Sequence, residues 1–165
     1  MTVPLPEPEM RHPERLAEVI ALVTEIVDLL DVPADASVQI ARLNALTDRD
    51  DLTEEDLVEL YAAEDGEDFA ARILMPTNIP TGLDRAQLVH VAQRIIEEVA
   101  EDQAKLHYWL KVWHRNEPSG KSSDLFFWKQ DWAERVGEPL DTFEPTAEDI
   151  VKEAFRIAAE LKGGS

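Results

Sequence analysis

The chain has 165 residues, of which 44% are hydrophobic and 31% charged, a composition typical of a globular domain and not of a disordered segment. It contains no cysteine, which excludes disulfides and thiolate metal sites. Its net charge of −19 repels phosphate backbones and attracts basic surfaces, so we expect a basic protein partner and no direct nucleic-acid binding.

The negative charge is concentrated in the first half of the chain. Residues 1–82 hold 19 acids, five arginines and no lysine, whereas residues 83–165 hold 16 acids and 11 basic residues. Either a solubilising surface or a surface for a basic partner would explain this. No apolar run reaches membrane length, and the first residues lack the basic and apolar regions of a signal peptide. We therefore expect a cytoplasmic protein with no membrane contact.

In chain order, residues 1–12 contain three prolines and no apolar periodicity, which predicts a flexible arm. Apolar residues at steps of three and four predict a helix from Pro13 to about Asp31. A shorter helix follows, capped by Asp35 or Ser37. No useful period-two alternation occurs, so residues 13–162 are predicted to form a single all-α domain of about five to six helices. A flexible tail, 163–165, would follow.

Residues 48–68 form an acidic stretch with 11 acids in 21 residues. A helix-loop-helix calcium site starting at Asp48 would need glycine at its sixth position, which is Thr53, so that site is excluded. Thr53 is instead predicted to cap a helix with acids in its first turn. A solvated face and a partner-binding face both remain open. The candidate partner-binding residues of this stretch are Asp50, Asp51, Glu54 and Glu55.

The predicted fold is organised around one long amphipathic helix, from Asp84 to about His114. Its apolar residues recur over about eight turns, roughly 45 Å, with one slot held by Gln103. The chain then forms a polar loop and a short helical turn from Asp131 to Val136. A last helix opens at Thr146 and ends at Gly163.

The long predicted helix carries a cluster of carboxylates at spacings of four residues: Glu97 with Glu101, and Glu98 with Asp102. Such pairs suit a magnesium site. The cluster resembles half of the motif of MazG-like all-helical nucleotide pyrophosphohydrolases, which implies a magnesium-dependent enzyme as a minority interpretation. That family needs a second Glu-x-x-Asp on a helix, and the downstream match, Glu138 to Asp141, contains Pro139. We favour a solvated face with a Glu101–Lys105 pair, and predict no catalytic residue, metal or cofactor.

Residues 118–128 read Pro-Ser-Gly-Lys-Ser-Ser-Asp-Leu-Phe-Phe-Trp. They resemble the signature loop of the colicin and pyocin DNase immunity proteins, Pro-Ser-Gly-Ser-Asp-Leu-Ile-Tyr-Tyr-Pro. Two residues are inserted here, Phe127 and Trp128 replace the tyrosine pair, and Lys129 replaces the final proline. Residues 145–153 are similar to that family's last helix, and residues 51–57 to its first.

The resemblance implies an acidic bacterial protein that binds and blocks a basic nuclease toxin. It implies a shared binding core formed by the loop's aspartate and aromatic pair, with acids of the preceding helix setting specificity. The residues alone point the same way, because a charge beside large aromatics after a polar loop has the composition of an interface hot spot. The candidate partner-binding residues of this loop are Ser119, Gly120, Asp124, Phe127 and Trp128.

The alternative for the aromatics is that they pack in the protein's own core. Four tryptophans lie within 24 residues, and Leu125 and Phe126 are the expected buried members of the loop. An anchoring Trp128 is expected to be partly exposed, with Asp124 beside it. The predicted function is thus an inhibitor or immunity-type binding module. The alternatives are a DNA mimic that uses the carboxylates of 48–68, and the MazG-like hydrolase.

Overall fold

The computed structural model describes residues 5–32, 34–63, 66–99, 101–120, 124–127 and 129–163; of residues 60–63 and 124 it describes the backbone only. Throughout these ranges the regular structure is helical and no strand occurs, so the predicted all-α fold class is confirmed. The α-helices of the described ranges are α1 (Leu16–Asp31), α2 (Ser37–Leu46), α3 (Glu54–Ala63), α4 (Gly66–Ile73), α5 (Arg85–Glu98), α6 (Gln103–Asn116), α7 (Asp124–Phe127), α8 (Gln130–Val136) and α9 (Ala147–Gly163). Two 3-10 turns, Pro13–Arg15 and Leu140–Thr142, complete them.

The chain divides into two compact units where the sequence predicted a single domain over 13–162. The N-terminal unit is Pro8–Thr77, and the C-terminal unit is Met1–Glu7 together with Asn78–Ser165. Residues 5–12, expected to form a flexible arm, are described up to the first 3-10 turn. Arg11 in this segment donates its backbone N–H to Leu74 O at 2.7 Å, so the segment is tied to the end of α4.

The N-terminal unit is built around α1, which packs against α2, α3 and α4. Its apolar residues recur at helical spacing, so one face of α1 is buried while the opposite face carries the acids. Leu43 of α2, Leu57 of α3 and Phe69 of α4 close the core from the other side and are all buried. The buried face of α1 consists of Val19, Leu22, Val23 and Ile26.

The C-terminal unit contains a helical hairpin of α5 and α6, where the sequence predicted one continuous helix. α5 ends where Glu98 O accepts hydrogen bonds from the backbone N–H groups of Glu101 and Asp102, at 3.1 and 3.2 Å. Asp102 has extended dihedral angles, φ −142° and ψ 106°, and its side chain accepts from Lys105 N. An aspartate in this conformation begins a new helix, so the predicted helix is divided into α5, which ends at Glu98, and α6, which begins at Gln103.

The two helices of the hairpin run antiparallel. Asn116, the last residue of α6, donates from its side chain to Pro80 O at 2.8 Å, and its Oδ1 accepts from Leu83 N at 3.4 Å. The end of α6 therefore lies beside the start of α5. This break, together with the single-turn helix α7, gives more helices than the five to six that were predicted.

Tryptophans form the core of the C-terminal unit. Trp109 and Trp113 are fully buried, and Trp109 contacts His90 of α5 edge to face, with the ring centroids 5.7 Å apart. Trp132 of α8 makes the same kind of contact with Phe143, at 5.0 Å. α9 packs on α5 through a face of small and branched residues that includes Ile150. The three tryptophans whose side chains are described thus act as core residues.

Over the described helices, none is both long enough and apolar enough to cross a bilayer.

Candidate protein-binding surfaces

The acidic residues Asp50 and Asp51 lie on a turn that hydrogen bonds hold in place. Before the turn, Thr47 donates its hydroxyl to Leu43 O at 2.8 Å, and Arg49 N donates to Asn44 O at 2.8 Å. Arg49 also forms two 2.9 Å hydrogen bonds to the Asp51 carboxylate. Asp50 and Asp51 are both exposed, so the turn presents its carboxylates to solvent in a defined conformation.

Glu54 and Glu55 follow immediately, in the first turn of α3. The predicted cap is confirmed, because Thr53 Oγ1 accepts from Asp56 N at 3.3 Å while Asp56 Oδ2 accepts from Thr53 N at 2.9 Å. This reciprocal capping leaves Glu54 and Glu55 exposed at the positive end of the helix dipole. The structure therefore brings the four acidic candidates of the sequence together in one segment, and we call Asp50 to Glu55 the acidic segment.

The arginines of the N-terminal unit are used largely at helix ends. Arg11 donates to Ile73 O at 3.1 Å and to Met75 O at 3.3 Å, at the C-terminus of α4. Arg15 donates to Leu46 O at 3.0 Å, at the C-terminus of α2. Cations there stabilise the last carbonyl groups of a helix. Arg15 also pairs with Glu14 and Asp48, and Arg49 with Asp51, so these arginines offset only a few of the acids of the unit.

The charge balance of this unit is correspondingly negative. Residues 8–77 contain 18 acids and five arginines, a net charge of −13. Among the acids whose side chains are described in this range, none is buried. Fourteen acids, including Glu18, Glu25 and Asp28 of α1, are exposed, so the unit has a strongly negative surface.

The loop after α6 is held by a buried carboxylate that the sequence analysis did not single out. Glu117 is 8% exposed, and its Oε2 accepts from Ser119 N at 2.8 Å and from Ser119 Oγ at 2.7 Å. Gly120 follows with φ +72°, a left-handed conformation that glycine adopts without strain. Ser119, a predicted partner-binding residue, is thus half-buried and bonded within the loop, whereas Gly120 is exposed.

Of the two phenylalanines that follow this loop, Phe126 is buried and Phe127 is exposed. Leu125 and Phe126 are buried, as predicted, and Phe126 packs edge to face on Trp113 with centroids 5.1 Å apart. Phe127 is 45% exposed although it contacts Phe126. We call Gly120 and Phe127 the loop surface. The predicted partner-binding residue Trp128 and the side chain of Asp124 lie outside the described residues.

No known family model, curated protein or solved structure matches the chain. Function has to be argued from the chain's own residues.

The carboxylates that the minority interpretation assigns to a magnesium site instead form contacts within the protein. Arg94 donates to Glu97 at 2.5 Å and to Glu98 at 2.8 Å, and reaches Glu7 at 2.8 Å. Asp102 caps α6, so the predicted shared helix faces of Glu97 with Glu101 and of Glu98 with Asp102 are wrong. Across the described residues, no group of three or more metal-ligating side chains could hold a metal ion.

Arg94 is the residue that the sequence analysis missed in this cluster. It precedes Glu97 and Glu98 by three and four residues, which is the spacing of helical ion pairs and could have been read from the sequence. Gln93 adds a 3.1 Å hydrogen bond to Glu97. That bond first, and then the Arg94 guanidinium, lower the pKa of Glu97 from its ordinary value. The cluster is therefore a structural ion-pair network centred on Arg94.

Proposed function

We propose that the protein is an acidic, helical protein-binding module of the cytoplasm, most concretely an inhibitor of the immunity type that blocks a basic nuclease toxin. One observation carries this proposal: the N-terminal unit has a net charge of −13 and no buried acid among its described side chains. Such a surface speeds association with a basic protein and disfavours acidic ones.

The acidic segment supports a specific contact beyond general attraction. Its turn is fixed by the Arg49–Asp51 hydrogen bonds, and its helix start by the Thr53–Asp56 capping box. A segment whose backbone is already fixed loses little backbone entropy when it meets a cationic partner. The segment also coincides with residues 51–57, which resemble the first helix of the immunity family.

The loop surface supports the same function in the C-terminal unit. Phe127 is exposed, while its neighbour Phe126 is anchored on the buried Trp113. An exposed aromatic on a rigid base is the usual form of an interface anchor. Both phenylalanines belong to residues 118–128, which resemble the immunity loop.

The test is binding of the full chain to the purified nuclease domain of a colicin-type DNase, measured by calorimetry at several salt concentrations together with inhibition of DNA cleavage. The quadruple variant Asp50→Asn, Asp51→Asn, Glu54→Gln, Glu55→Gln is expected to bind at least about tenfold more weakly, because electrostatic contacts at the acidic segment are lost.

The matched control removes four exposed carboxylates from the C-terminal unit and changes the net charge equally. If the control weakens binding as much as the quadruple variant, the acidic segment has no specific role and only net charge matters. If the wild-type chain neither binds nor inhibits any basic nuclease tested, the proposal is wrong. The four control positions are Glu134, Glu138, Asp141 and Glu144.

A DNA mimic is the second candidate, favoured by the spread of exposed acids along α1 as well as α3. Glu18, Glu25 and Asp28 are exposed on α1. In a mimic, many carboxylates contribute a little each, and affinity falls steeply with salt. Binding that survives Phe127→Ala, weakens a little with every neutralised acid and is displaced by duplex DNA would favour the mimic over the anchored inhibitor.

A further inference from the structure

A small apolar cleft opens between α1 and α3 of the N-terminal unit. Its volume is about 100 Å³. Leu57, at its base, is fully buried, whereas Val58 at its rim is 53% exposed. An exposed valine beside an open apolar cleft leaves hydrocarbon in contact with water, which a docked apolar side chain would remove. The lining residues are Val27, Leu30, Asp31, Leu57 and Val58.

The surroundings of the cleft are acidic. Asp31 forms part of its wall. Glu54 precedes Leu57 and Val58 by three and four residues, so it lies on the same face of α3, one turn before the cleft. Glu54 is exposed and belongs to the acidic segment. The cleft is therefore an apolar site bordered on two helices by carboxylates.

We infer that this cleft receives one apolar side chain from a cationic amphipathic helix of the basic partner. The inference rests on the proposed function, since it names how that partner is recognised. A helix with lysines one turn before and after a leucine places the lysine Cβ atoms about 5–6 Å from the leucine Cβ atom, on the same face. That spacing matches the one-turn separation of Glu54 from the cleft, and an apolar face laid into a groove between helices is a common mode of helix recognition.

The cleft explains a feature that charge alone does not. Val32, the residue after Asp31, is 61% exposed, so apolar surface continues past the end of α1. A single exposed valine is ordinary on a protein surface, and Val38 is one example. Val58 differs because it lines an apolar cleft that has carboxylates beside it, and an apolar centre with charges at the rim is the anatomy of a protein interface.

The experiment uses the full chain and a synthetic Leu/Lys amphipathic peptide of about 14 residues, roughly four helical turns. Affinity is measured by fluorescence anisotropy for the wild type, for Val58→Asp and for the control Val38→Asp. Val38 is 74% exposed on α2 and does not line the cleft. Both variants add one negative charge, so simple attraction would tighten binding to both equally.

We expect Val58→Asp to weaken peptide binding by about tenfold and Val38→Asp to leave it unchanged or tighter, because only the first variant places a charge in the cleft. Val58→Ser, which adds no charge, should weaken binding in the same direction. Far-ultraviolet circular dichroism confirms that each variant keeps its helices. Equal affinities of Val58→Asp and Val38→Asp would overturn the cleft inference while leaving the proposed function intact. If neither the peptide nor polylysine binds the wild type, the cleft inference and the proposed function are both wrong.

Discussion

Asn44 and Leu52 are joined by two hydrogen bonds, one in each direction. The side-chain amide of Asn44 donates to Leu52 O at 3.0 Å, and Leu52 N donates to Asn44 Oδ1 at 3.0 Å. The side chain thus pairs with the backbone as a neighbouring strand would, and it connects the end of α2 to the residue before the α3 cap. The acidic turn that contains Asp50 and Asp51 is closed by this pair.

The first prediction concerns that pair. Asn44→Ala should lower the free energy of unfolding by about 1–3 kcal/mol, because a half-buried backbone donor and acceptor lose their partners. Urea denaturation measures the change. Asn78→Ala, the same substitution at an exposed position, serves as the control. Equal stability of the two variants would show that the pair does not hold the turn.

The second prediction concerns Arg94, which contacts the carboxylates of Glu7, Glu97 and Glu98. Arg94→Met should lower the free energy of unfolding by about 3 kcal/mol, because Glu98 is 7% exposed and would be left as a buried charge. The control is Arg156→Met. Arg156 pairs with the buried Glu153, but Glu153 keeps Arg135 as a second cation, so a loss of about 1 kcal/mol or less is expected. Equal losses would mean that Arg94 has no special role.

The third prediction is a pH dependence. The hydrogen bond from Gln93, and after it that from Arg94, lower the pKa of Glu97 below its ordinary value of 4.5. A carboxylate with a lowered folded-state pKa stabilises the fold above the ordinary value, and this stabilisation is lost as the pH falls through the folded-state pKa. Glu97→Gln should therefore lose less stability than the wild type between about pH 5 and pH 3.

An NMR titration of the side chains checks the cause. Gln93→Ala should raise the pKa of Glu97 toward 4.5, since it removes the largest contribution to the shift. An unchanged pKa in this variant would assign the shift to another group.

The fourth prediction separates the two phenylalanines of the loop. Phe126→Ala should cost about 3–5 kcal/mol, because Phe126 is 8% exposed and packs on Trp113. Phe127→Ala should change stability by less than about 1 kcal/mol but weaken nuclease binding by about 2 kcal/mol. Thermal unfolding and calorimetry measure the two effects. A Phe127→Ala variant that is destabilised and binds normally would assign Phe127 to the core.

The same pair of measurements applies to Trp128, for which the sequence predicts an anchoring role. Trp128→Ala is expected to leave stability nearly intact and to weaken partner binding by about 2 kcal/mol or more. A stability loss of about 3–5 kcal/mol would instead identify a core tryptophan.

Local periodicity and capping were sufficient to predict the helical class and several helix boundaries. The capping box of Thr53 and the burial of Leu125 and Phe126 follow from short-range patterns, which depend on neighbouring residues only. The break between α5 and α6 was not predicted. The apolar series resumes at Leu106 in the same helical register after the polar slot at Gln103, so the periodicity alone indicated one helix. Asp102, a capping type of residue directly before that slot, was the local signal for a new helix.

Residue roles that depend on side-chain contacts in loops were also missed. Asn44 bonds to Leu52, eight residues later, and Glu117 bonds to Ser119, two residues later, and no motif indicates either contact. The exposure of the four acidic candidates could be predicted from the sequence, because charged side chains are rarely buried.

The N-terminal unit contains arginines but no lysine, and this has a practical consequence for chemical labelling of the protein. All six lysines, from Lys105 to Lys162, belong to the C-terminal unit, so amine-selective reagents have no lysine target in residues 8–77. Amine-coupled dyes, biotin or a solid support therefore leave the acidic segment and the cleft chemically untouched. Carbodiimide coupling, which consumes carboxyl groups, would modify the exposed acids of that same surface. The two reagents together offer a footprint of the bound partner without any substitution in the chain.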